Sequence, residues 1–410
     1  MIDTAQLHAH FVQSTGACTD TRQLKEGALF FALKGPNFNA NALAAQALAG
    51  GCAFAVVDDP AVVQDERYLL VPDVLQALQA LARHHRRLFS IPVIGITGTN
   101  GKTTTKELMH AVLSADRATL ATIGNLNNHI GVPLTLLRLT DDHRIAIIEM
   151  GANKLGDIAE LAAIAEPSHG LITNIGRAHL EGFGSYEGVI ATKTELYAFL
   201  RTNGGTAFVH ADDALLMQHS DDLERVTYGT WPGSTLRGEA RSEGPFLKCL
   251  FRTAQGHEHI VRTQLIGDYN LANALAAICV GGFFGVPAET TVQALEAYTP
   301  GNNRSQFTDT GRNQLVLDAY NANPSSMAVA LENFAAMRSD RPKRAILGDM
   351  LELGAESAVE HQRIVELVGK LGLAAMLVGP EFGRTTGGSA KRYGNAAEAL
   401  AALQAEKPQG

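Results

Sequence analysis

The stretch that most constrains this chain is residues 93–105, where an apolar run leads into a glycine-rich turn. Residues 93–96 predict a buried strand, and residues 102–114 predict a helix that begins directly after the turn. Gly98 and Gly101 leave the backbone N–H groups of the turn free to face an anion, and the helix N-terminus adds partial positive charge. The sequence therefore predicts a strand, an anion-binding turn and a helix in succession.

Two side chains make this turn more specific than an ordinary glycine-rich connection, which is the alternative reading. Lys102 can reach the outer phosphates of a nucleotide, and the hydroxyl of Thr103 can ligate Mg²⁺. The spacing departs from the standard G-x-x-x-x-G-K-[ST] pattern, because five residues separate Gly95 from Gly101. The predicted phosphate cradle consists of Gly98, Thr99, Asn100, Gly101, Lys102, Thr103 and Thr104.

Length and composition limit the class of protein. A chain of 410 residues is too long for one typical core, so two or three domains are expected. Its 46% hydrophobic and 19% charged residues indicate a globular protein, and a net charge of −8 argues against coating nucleic acid. The four cysteines lie far apart without a C-x-x-C pair, which favours free thiols in a reducing compartment.

Targeting segments are not visible in the sequence. The N-terminus lacks a basic stretch followed by an apolar one, so no secretory signal is predicted. The longest apolar run, residues 274–286, is shorter than the ~20 residues needed to span a bilayer. We therefore expect a cytoplasmic protein without a membrane or nucleic-acid partner.

The order of predicted elements favours an α/β protein with three segments. Residues 1–90 resemble a small α/β unit, and residues 91–300 alternate short apolar strands with helices, as in a doubly wound, mainly parallel sheet. Residues 225–265 predict a meander at the edge of this sheet. Residues 301–410 resume the α/β alternation, with a strand at 315–317.

Polar residues follow the predicted central strands where ligands of such sheets bind. Glu149 ends one apolar strand and Asn174 follows another. A carboxylate at the position of Glu149 is a natural Mg²⁺ ligand beside Thr103, because Mg²⁺ prefers oxygen donors. The alternative is a strand-end carboxylate that makes a cap or a surface pair.

His179 and Lys193 are ambiguous by position alone. His179 lies past a strand end in a glycine-bounded loop, but most lone histidines are structural. Lys193 lies on the next predicted helix, where a solvated lysine is the ordinary interpretation. An ammonium group has no lone pair, so only a modified lysine could help to hold a metal. The amide-rich stretches 124–133 and 318–324 fit either substrate contacts or ordinary turns.

Taken together, these stretches resemble the ATP-dependent Mur ligases of peptidoglycan synthesis. The resemblance extends from about residue 19 to residue 362. It implies a three-domain fold with a P-loop in the central domain, a UDP-sugar-binding N-terminal domain and a Rossmann-like C-terminal ligase domain. The strings that carry it are residues 98–104, 124–128, 149–153, 173–176, 178–184 and 320–325.

The resemblance also implies roles for individual residues. Lys102 would contact the ATP phosphates, while Thr103 and Glu149 would bind one Mg²⁺. His179 would bind a second Mg²⁺, assisted by Lys193 if that lysine is carbamylated as in the family. The remaining assignments are Asn125 near the reacting phosphate, Asn270 and Asn273 on the adenine side, Arg304 and Asp318 closing over ATP, Thr21 and Arg22 on the uridine diphosphate, and Asn321 and Asn323 on the incoming dipeptide.

Within the family, the strings best match the activity that joins D-alanyl-D-alanine to UDP-N-acetylmuramoyl tripeptide through an acyl phosphate, with ATP and Mg²⁺. A monomer is expected. The alternatives are a Mur-type ligase or folylpolyglutamate synthase that adds a single amino acid, and a nucleotide-binding module without catalysis. Two stretches depart from the family pattern: residues 302–305 replace a glycine–arginine pair around Arg304, and the family usually continues beyond the position of residue 410, so a C-terminal domain that is either trimmed or unusually short is expected.

Overall fold

The computed structural model describes residues 1–177, 180–301, 303–304 and 306–407, and it shows an α/β protein. Along the chain, a four-stranded parallel sheet is followed by a nine-stranded mixed sheet and then by a three-stranded parallel sheet. In the described part, no helix combines the length and apolar character needed to cross a membrane.

The predicted first segment contains a four-stranded sheet in the order β1-β2-β5-β6, in which every pair is parallel. A small antiparallel pair, β3–β4, lies outside this sheet. Its elements are α1 (Thr4–Val12), β1 (Ala17–Cys18), β2 (Leu29–Phe31), β3 (Lys34–Gly35), β4 (Phe38–Asn39), α2 (Ala44–Ala49), β5 (Phe54–Val57), β6 (Tyr68–Leu70) and α3 (Val74–Arg86).

The predicted central segment is built on a nine-stranded sheet with helices on both faces. Its strands are β7 (Val93–Thr97), β8 (Thr119–Ala121), β9 (Ile145–Glu149), β10 (His169–Ile172), β11 (Thr206–His210), β12 (Glu224–Gly229), β13 (Leu236–Ala240), β14 (Phe246–Arg252) and β15 (Glu258–Ile266). Its helices are α4 (Lys102–Ser114), α5 (Gly131–Leu136), α6 (Asp157–Ala165), α7 (Leu180–Phe183), α8 (Tyr186–Asn203), α9 (Ala214–His219), α10 (Leu271–Phe283) and α11 (Ala288–Ala297).

The strand order β15-β14-β13-β12-β11-β10-β7-β9-β8 places the phosphate turn at the point where the chain changes direction. From β7 the chain first builds β8 and β9 on one side and then β10 to β12 on the other. The carboxyl ends of strands beside such a switch point are where ligands bind in open α/β sheets. The turn after β7, Glu149 at the end of β9 and Asn174 after β10 all lie there.

The edge of the central sheet matches the predicted meander. The pairs from β8 to β13 are parallel, whereas β13–β14 and β14–β15 are antiparallel. Helix α3 of the first segment packs against α5 and α6, and its Leu78 and Leu81 belong to the same hydrophobic cluster as Leu136 and Ile164. The first two segments are therefore joined by a continuous apolar core.

The third segment has its own core and a three-stranded parallel sheet, β18-β19-β20. The strand predicted at 315–317 does not join this sheet, because the turn around Gly311, with φ of 77°, folds it back on β16 as an antiparallel hairpin. The elements are β16 (Gln306–Asp309), β17 (Gln314–Leu317), α12 (Pro324–Ala336), β18 (Arg344–Gly348), α13 (Ser357–Lys370), β19 (Ala374–Val378), α14 (Pro380–Gly383), β20 (Lys391–Tyr393) and α15 (Ala396–Glu406).

Candidate active site

The phosphate turn depends on glycine at two positions. Gly98 has φ of 140°, and a Cβ there would lie 2.0 Å from Oγ1 of Thr173. Gly101 has φ of 79°, and its Cβ would lie 2.7 Å from Oδ1 of Asn273. Both conformations are accessible mainly to glycine, so the tight turn and its close neighbours require these residues.

Lys102 folds back over the turn. Its ammonium donates to the backbone oxygens of Gly98 at 2.7 Å and Thr99 at 3.0 Å. Burial lowers the pKa of Lys102; the carboxylate of Glu149 opposes this shift and Arg304 adds to it. The ammonium thus lies over the cradle, where a phosphate group can replace the two carbonyl oxygens as its partner.

Glu149 is the best candidate metal ligand in the structure. Its side chain is 1% exposed, and Oε1 accepts hydrogen bonds from the Thr103 hydroxyl at 3.1 Å and from the Asn127 amide at 2.8 Å. Oε2 is buried and has no hydrogen-bond partner among the described residues. A buried carboxylate oxygen without a partner is costly, so the arrangement fits a cation at this position.

The donor set suits Mg²⁺ better than a cation that needs an all-protein cage. Within the described residues, no group of three or more His, Cys, Asp or Glu side chains could hold a metal ion. Mg²⁺ in nucleotide sites commonly takes one or two carboxylates and completes its shell with phosphates and water. Glu149 and Thr103 provide that partial set.

The segment after β10 supports the cradle from the other side. Asn174 accepts from the backbone N–H of Asn100 through Oδ1 at 3.0 Å and donates to the Asn100 oxygen at 2.9 Å. The hydroxyl of Thr173 donates to the same oxygen at 2.6 Å, and Thr99 bonds both backbone groups of Gly176. The strand-end polar residues that the sequence indicated thus fix the shape of the turn.

The third segment contacts the cradle directly. Nδ2 of Asn323 donates to Oδ1 of Asn100 at 2.7 Å, and Oδ1 of Asn323 caps helix α12 by accepting from Ser326. The backbone N–H of Arg177 donates to the hydroxyl of Ser325 at 3.2 Å. Asn323, predicted to contact the dipeptide, therefore joins the phosphate turn to the third segment.

Lys193 lies inside the protein, so its interpretation as a solvated helix lysine is wrong. It is 2% exposed on α8, with Nζ 5.5 Å from the ring centre of Phe183. Burial lowers its pKa well below the usual value, and the positive charge of Lys102 lowers it further. Both effects favour the neutral amine over the ammonium form. His179, its predicted partner, lies outside the described residues.

The predicted adenine-side residues lie behind helix α4. Asn273 accepts a hydrogen bond from the Thr105 hydroxyl at 3.0 Å and donates to Asn270 at 2.9 Å. Asn270 is buried and donates to the Ile266 oxygen at 2.8 Å. Asn273 therefore lies against the phosphate turn and the first turn of α4, and Asn270 contacts it.

Arg304 lies beside the cradle. It lines a small cavity together with Thr103, Thr104 and Tyr298. Its guanidinium stacks on the ring of Tyr320, 3.7 Å from the ring centre, which orients it without using its hydrogen-bond donors. Asp318, which follows β17, is exposed.

Three further predicted contacts are on the surface. Asn125 and Asn321 are exposed, and the Asn125 oxygen accepts from the backbone N–H of Asn127. Arg22 is exposed in the first segment and pairs with Asp20, whose pKa it lowers to about 2. Thr21, beside it, starts a short 3₁₀ helix capped by Asp20. The structure thus places the predicted uridine-diphosphate residues on a different segment from the phosphate cradle.

A large cavity lies away from this chemistry. It has a volume of about 1020 Å³ and lies between the β16–β17 hairpin and strand β18, lined by Phe307, Val316, Arg344 and Ile346 among others. Its position near the end of α15, at Lys407, separates it from the phosphate turn. Size alone therefore does not identify the active site here.

Sequence reasoning missed two residues that the structure places around the cradle. Asn127 lies in the amide-rich stretch, but only Asn125 was singled out there. Lys106 is 0% exposed on α4. Its spacing from Met109 and Leu113 puts it on the buried stripe of that helix, which could have indicated that it is not a surface lysine.

Comparisons with known proteins agree with this geometry. Residues 96–281 match the Mur ligase middle domain, and residues 303–408 match the glutamate ligase domain of Mur ligases. The UDP-N-acetylmuramoyl-tripeptide–D-alanyl-D-alanine ligase of Bacillus subtilis is 36% identical over 351 residues, which is 85% of this chain and 76% of the relative. The enzyme of that name from Escherichia coli is 38% identical over 371 residues, covering 88% and 80%.

Solved structures support the same relationship. A crystal structure of MurF from Acinetobacter baumannii matches with a TM-score of 0.87 and 31% identity, covering 99% of this chain and 93% of the other. MurF from Thermotoga maritima in complex with ADP matches with a TM-score of 0.85 and 26% identity, covering 100% and 93%. On sequence and structure together, this chain belongs to the Mur ligase family.

Proposed function

We propose that this chain joins D-alanyl-D-alanine to UDP-N-acetylmuramoyl tripeptide, with ATP converted to ADP and phosphate. The observation that carries the proposal is the Thr103–Glu149 pair beneath the phosphate turn, with one buried carboxylate oxygen left for a cation. Relatives that bear the name of this ligase, at 36% and 38% identity over most of the chain, support the choice of substrates.

The reaction proceeds in two steps. An oxygen of the tripeptide's terminal carboxylate attacks the γ-phosphorus of ATP, the bond to the bridging oxygen breaks, and ADP leaves. The amine of the dipeptide then attacks the acyl carbon of the acyl phosphate, phosphate leaves, and the nitrogen loses a proton. Both steps depend on holding the reacting atoms in position.

The chain's own residues bind and orient the phosphates. Backbone N–H groups of the turn face the phosphates, Lys102 moves from its carbonyl partners to them, and Arg304, stacked on Tyr320, approaches from the third segment. A Mg²⁺ ion bound at Glu149 and Thr103 would supply further neutralisation of phosphate charge. The Asn100–Asn323 contact holds the third segment against the turn, which excludes water from the reactive acyl phosphate.

Lys193 is proposed to act as a carbamate. Burial lowers the pKa of Lys193 and so favours the neutral amine, which attacks the carbon of CO₂ and then loses a proton. The product is an anionic oxygen ligand, whereas the ammonium has no lone pair for a metal. The predicted partner of that ligand is His179. Thr21 and Arg22 remain the proposed contacts to uridine diphosphate, Asn125 to the reacting phosphate, Asn270, Asn273 and Asp318 to the nucleoside, and Asn321 and Asn323 to the dipeptide.

The deciding experiment measures phosphate release from ATP with UDP-N-acetylmuramoyl tripeptide, with and without D-alanyl-D-alanine. We expect release to depend on the dipeptide and not to be replaced by single amino acids. Release with a single amino acid would favour a sister ligase, and nucleotide binding without any release would favour a non-catalytic module. As part of the same proposal, the enzyme works as a monomer in the cytoplasm. Light scattering during gel filtration measures its molar mass and so tests the monomeric state.

A further inference from the structure

Lys106 is a fully buried cation for which the reaction described above has no use. Its side chain is 0% exposed and is among the largest fully buried side chains of the protein. Burying an ammonium group is costly unless hydrogen bonds and an opposite charge compensate for the lost hydration. The hydrogen bonds of Lys106 show what the charge does there.

All three partners of the ammonium are near the active site. Nζ donates to the backbone oxygen of Thr122 at 2.6 Å and to that of Gly124 at 3.3 Å, and it pairs with Glu107 at 2.7 Å. Thr122 and Gly124 belong to the 122–127 connection, which runs from the end of β8 into the amide-rich stretch. Lys106 therefore ties helix α4 to this connection.

The connection leads directly to the candidate metal ligand. The hydroxyl of Thr122 accepts from the backbone N–H of Glu149 at 3.0 Å. Three residues beyond Gly124, the amide of Asn127 donates to Oε1 of Glu149 at 2.8 Å. The backbone oxygen of Asn127 also accepts from Gly151 at 2.7 Å. Of these three contacts, the one from the Asn127 amide occupies Oε1 of the carboxylate and leaves Oε2 for a cation, while the other two hold the backbone of Glu149 and Gly151.

Helix α4 thus carries Lys102, Thr103 and Lys106 on its first two turns. Lys102 and Thr103 are at its first turn, and Lys106 is one turn further on the same side as Lys102. We infer that Lys106 is a positioning residue that locks the 122–127 connection to the phosphate-binding helix and thereby aligns Glu149 for Mg²⁺. This rests on the proposed function, since it assumes a magnesium–nucleotide complex in the cradle.

The test is the Mg²⁺ dependence of nucleotide binding in Lys106→Met, followed with a fluorescent ADP analogue. Methionine keeps the apolar stem and removes the charge and donors. We expect the half-saturating Mg²⁺ concentration to rise roughly 10–100-fold, the range found when residues that orient metal ligands are lost. Nucleotide binding in EDTA should stay at the wild-type level, and turnover at limiting Mg²⁺ should fall.

Two further variants make the result specific. Lys343→Met is the matched control, because Lys343 also donates to two backbone oxygens but lies at the large cavity away from the turn; it should leave the Mg²⁺ requirement unchanged. Asn127→Ala breaks the other end of the same connection. Its effect should not add to that of Lys106→Met if both act through one path.

A wild-type Mg²⁺ requirement in Lys106→Met, or an equal loss of affinity with and without Mg²⁺, would overturn the inference. If that variant does not fold, Lys106→Gln, which keeps a donor without the charge, decides by the same two outcomes. Because the binding assay needs no peptide substrate, wild-type protein that fails to release phosphate would refute the proposed function and leave the inference on Lys106 standing.

Discussion

Replacing Glu149 with glutamine separates the metal-binding role of this side chain from its structural role. Glutamine has the same shape, and its Oε1 can keep the hydrogen bonds from Thr103 and Asn127. The change puts an NH₂ group where the buried oxygen without a partner now lies. Since a buried charge costs more than a buried neutral amide, the variant without ligand should be at least as stable as the wild type.

The effect should appear when magnesium and nucleotide are added. At a ligand concentration 100 times Kd, binding stabilises the folded protein by about 2.7 kcal/mol. Mutating residues that only orient a metal ligand weakens metal binding by up to ~100-fold. If losing the carboxylate weakens binding by this factor, the remaining stabilisation is about 0.4 kcal/mol. The difference of about 2.3 kcal/mol corresponds to a change of ~5–9 °C in the melting temperature of a folding unit of about 200 residues.

Differential scanning fluorimetry with ADP and Mg²⁺, compared with ADP and EDTA, measures this difference directly. Glu160→Gln is a suitable control, because Glu160 lies on α6 and accepts only from Gln79 among the hydrogen bonds described here. Wild-type and control protein should show the magnesium-dependent shift, and Glu149→Gln should lose most of it. A full shift in Glu149→Gln, or a melting temperature well below wild type without ligand, would show that Glu149 serves structure rather than the metal.

Three further predictions follow from the site and its surroundings. Lys102→Ala should lower turnover by roughly 10² or more, the scale of a lost preorganised charge contact, and steady-state phosphate release measures it. In CO₂-free buffer at neutral pH, Lys193→Met should unfold at a higher urea concentration than the wild type, because the pKa of Lys193 is lowered in the folded state and the unfolded chain binds the extra proton. The difference between the two urea midpoints should shrink as pH rises towards 10.5. A difference that does not change with pH would contradict this prediction. Burial also lowers the pKa of His85, whose ring donates to the Leu139 oxygen, so the stability of the protein should fall as pH drops below 6.5. Urea unfolding between pH ~5 and ~8 measures this, and the stability of His85→Gln should depend less on pH than that of the wild type.

The phosphate turn and the central sheet were predictable because residues close together in the sequence define them. An apolar run before Gly98 and a lysine–threonine pair after Gly101 define strand, turn and helix within about a dozen residues. Alternating short apolar strands and helices then imply a parallel sheet whose carboxyl edge collects Glu149 and Asn174. The fold class agrees with the structure and with the solved MurF structures, and the structure places both residues at the carboxyl ends of their strands.

Burial and partners over long sequence distances were not predictable in this way. Lys193 was indistinguishable from a surface lysine until the packing of α8 placed it inside, and Lys106 was not noticed at all. The hydrogen bond between Asn323 and Asn100, more than two hundred positions apart in the chain, was not predicted either. The strand at 315–317 was predicted correctly as a strand, whereas its antiparallel pairing depended on the turn at Gly311.

By itself, the sequence determined the strand, turn and helix around residues 98–103, the α/β class and the membership of the Mur ligase family, because each depends on short stretches of neighbouring residues. The tertiary structure alone decided which oxygen of Glu149 is left for a cation, which lysines lose contact with water, and which segment closes on the turn. Those properties come from electrostatic and packing interactions between residues far apart in the chain, and their strength depends on distances that exist only in the folded protein.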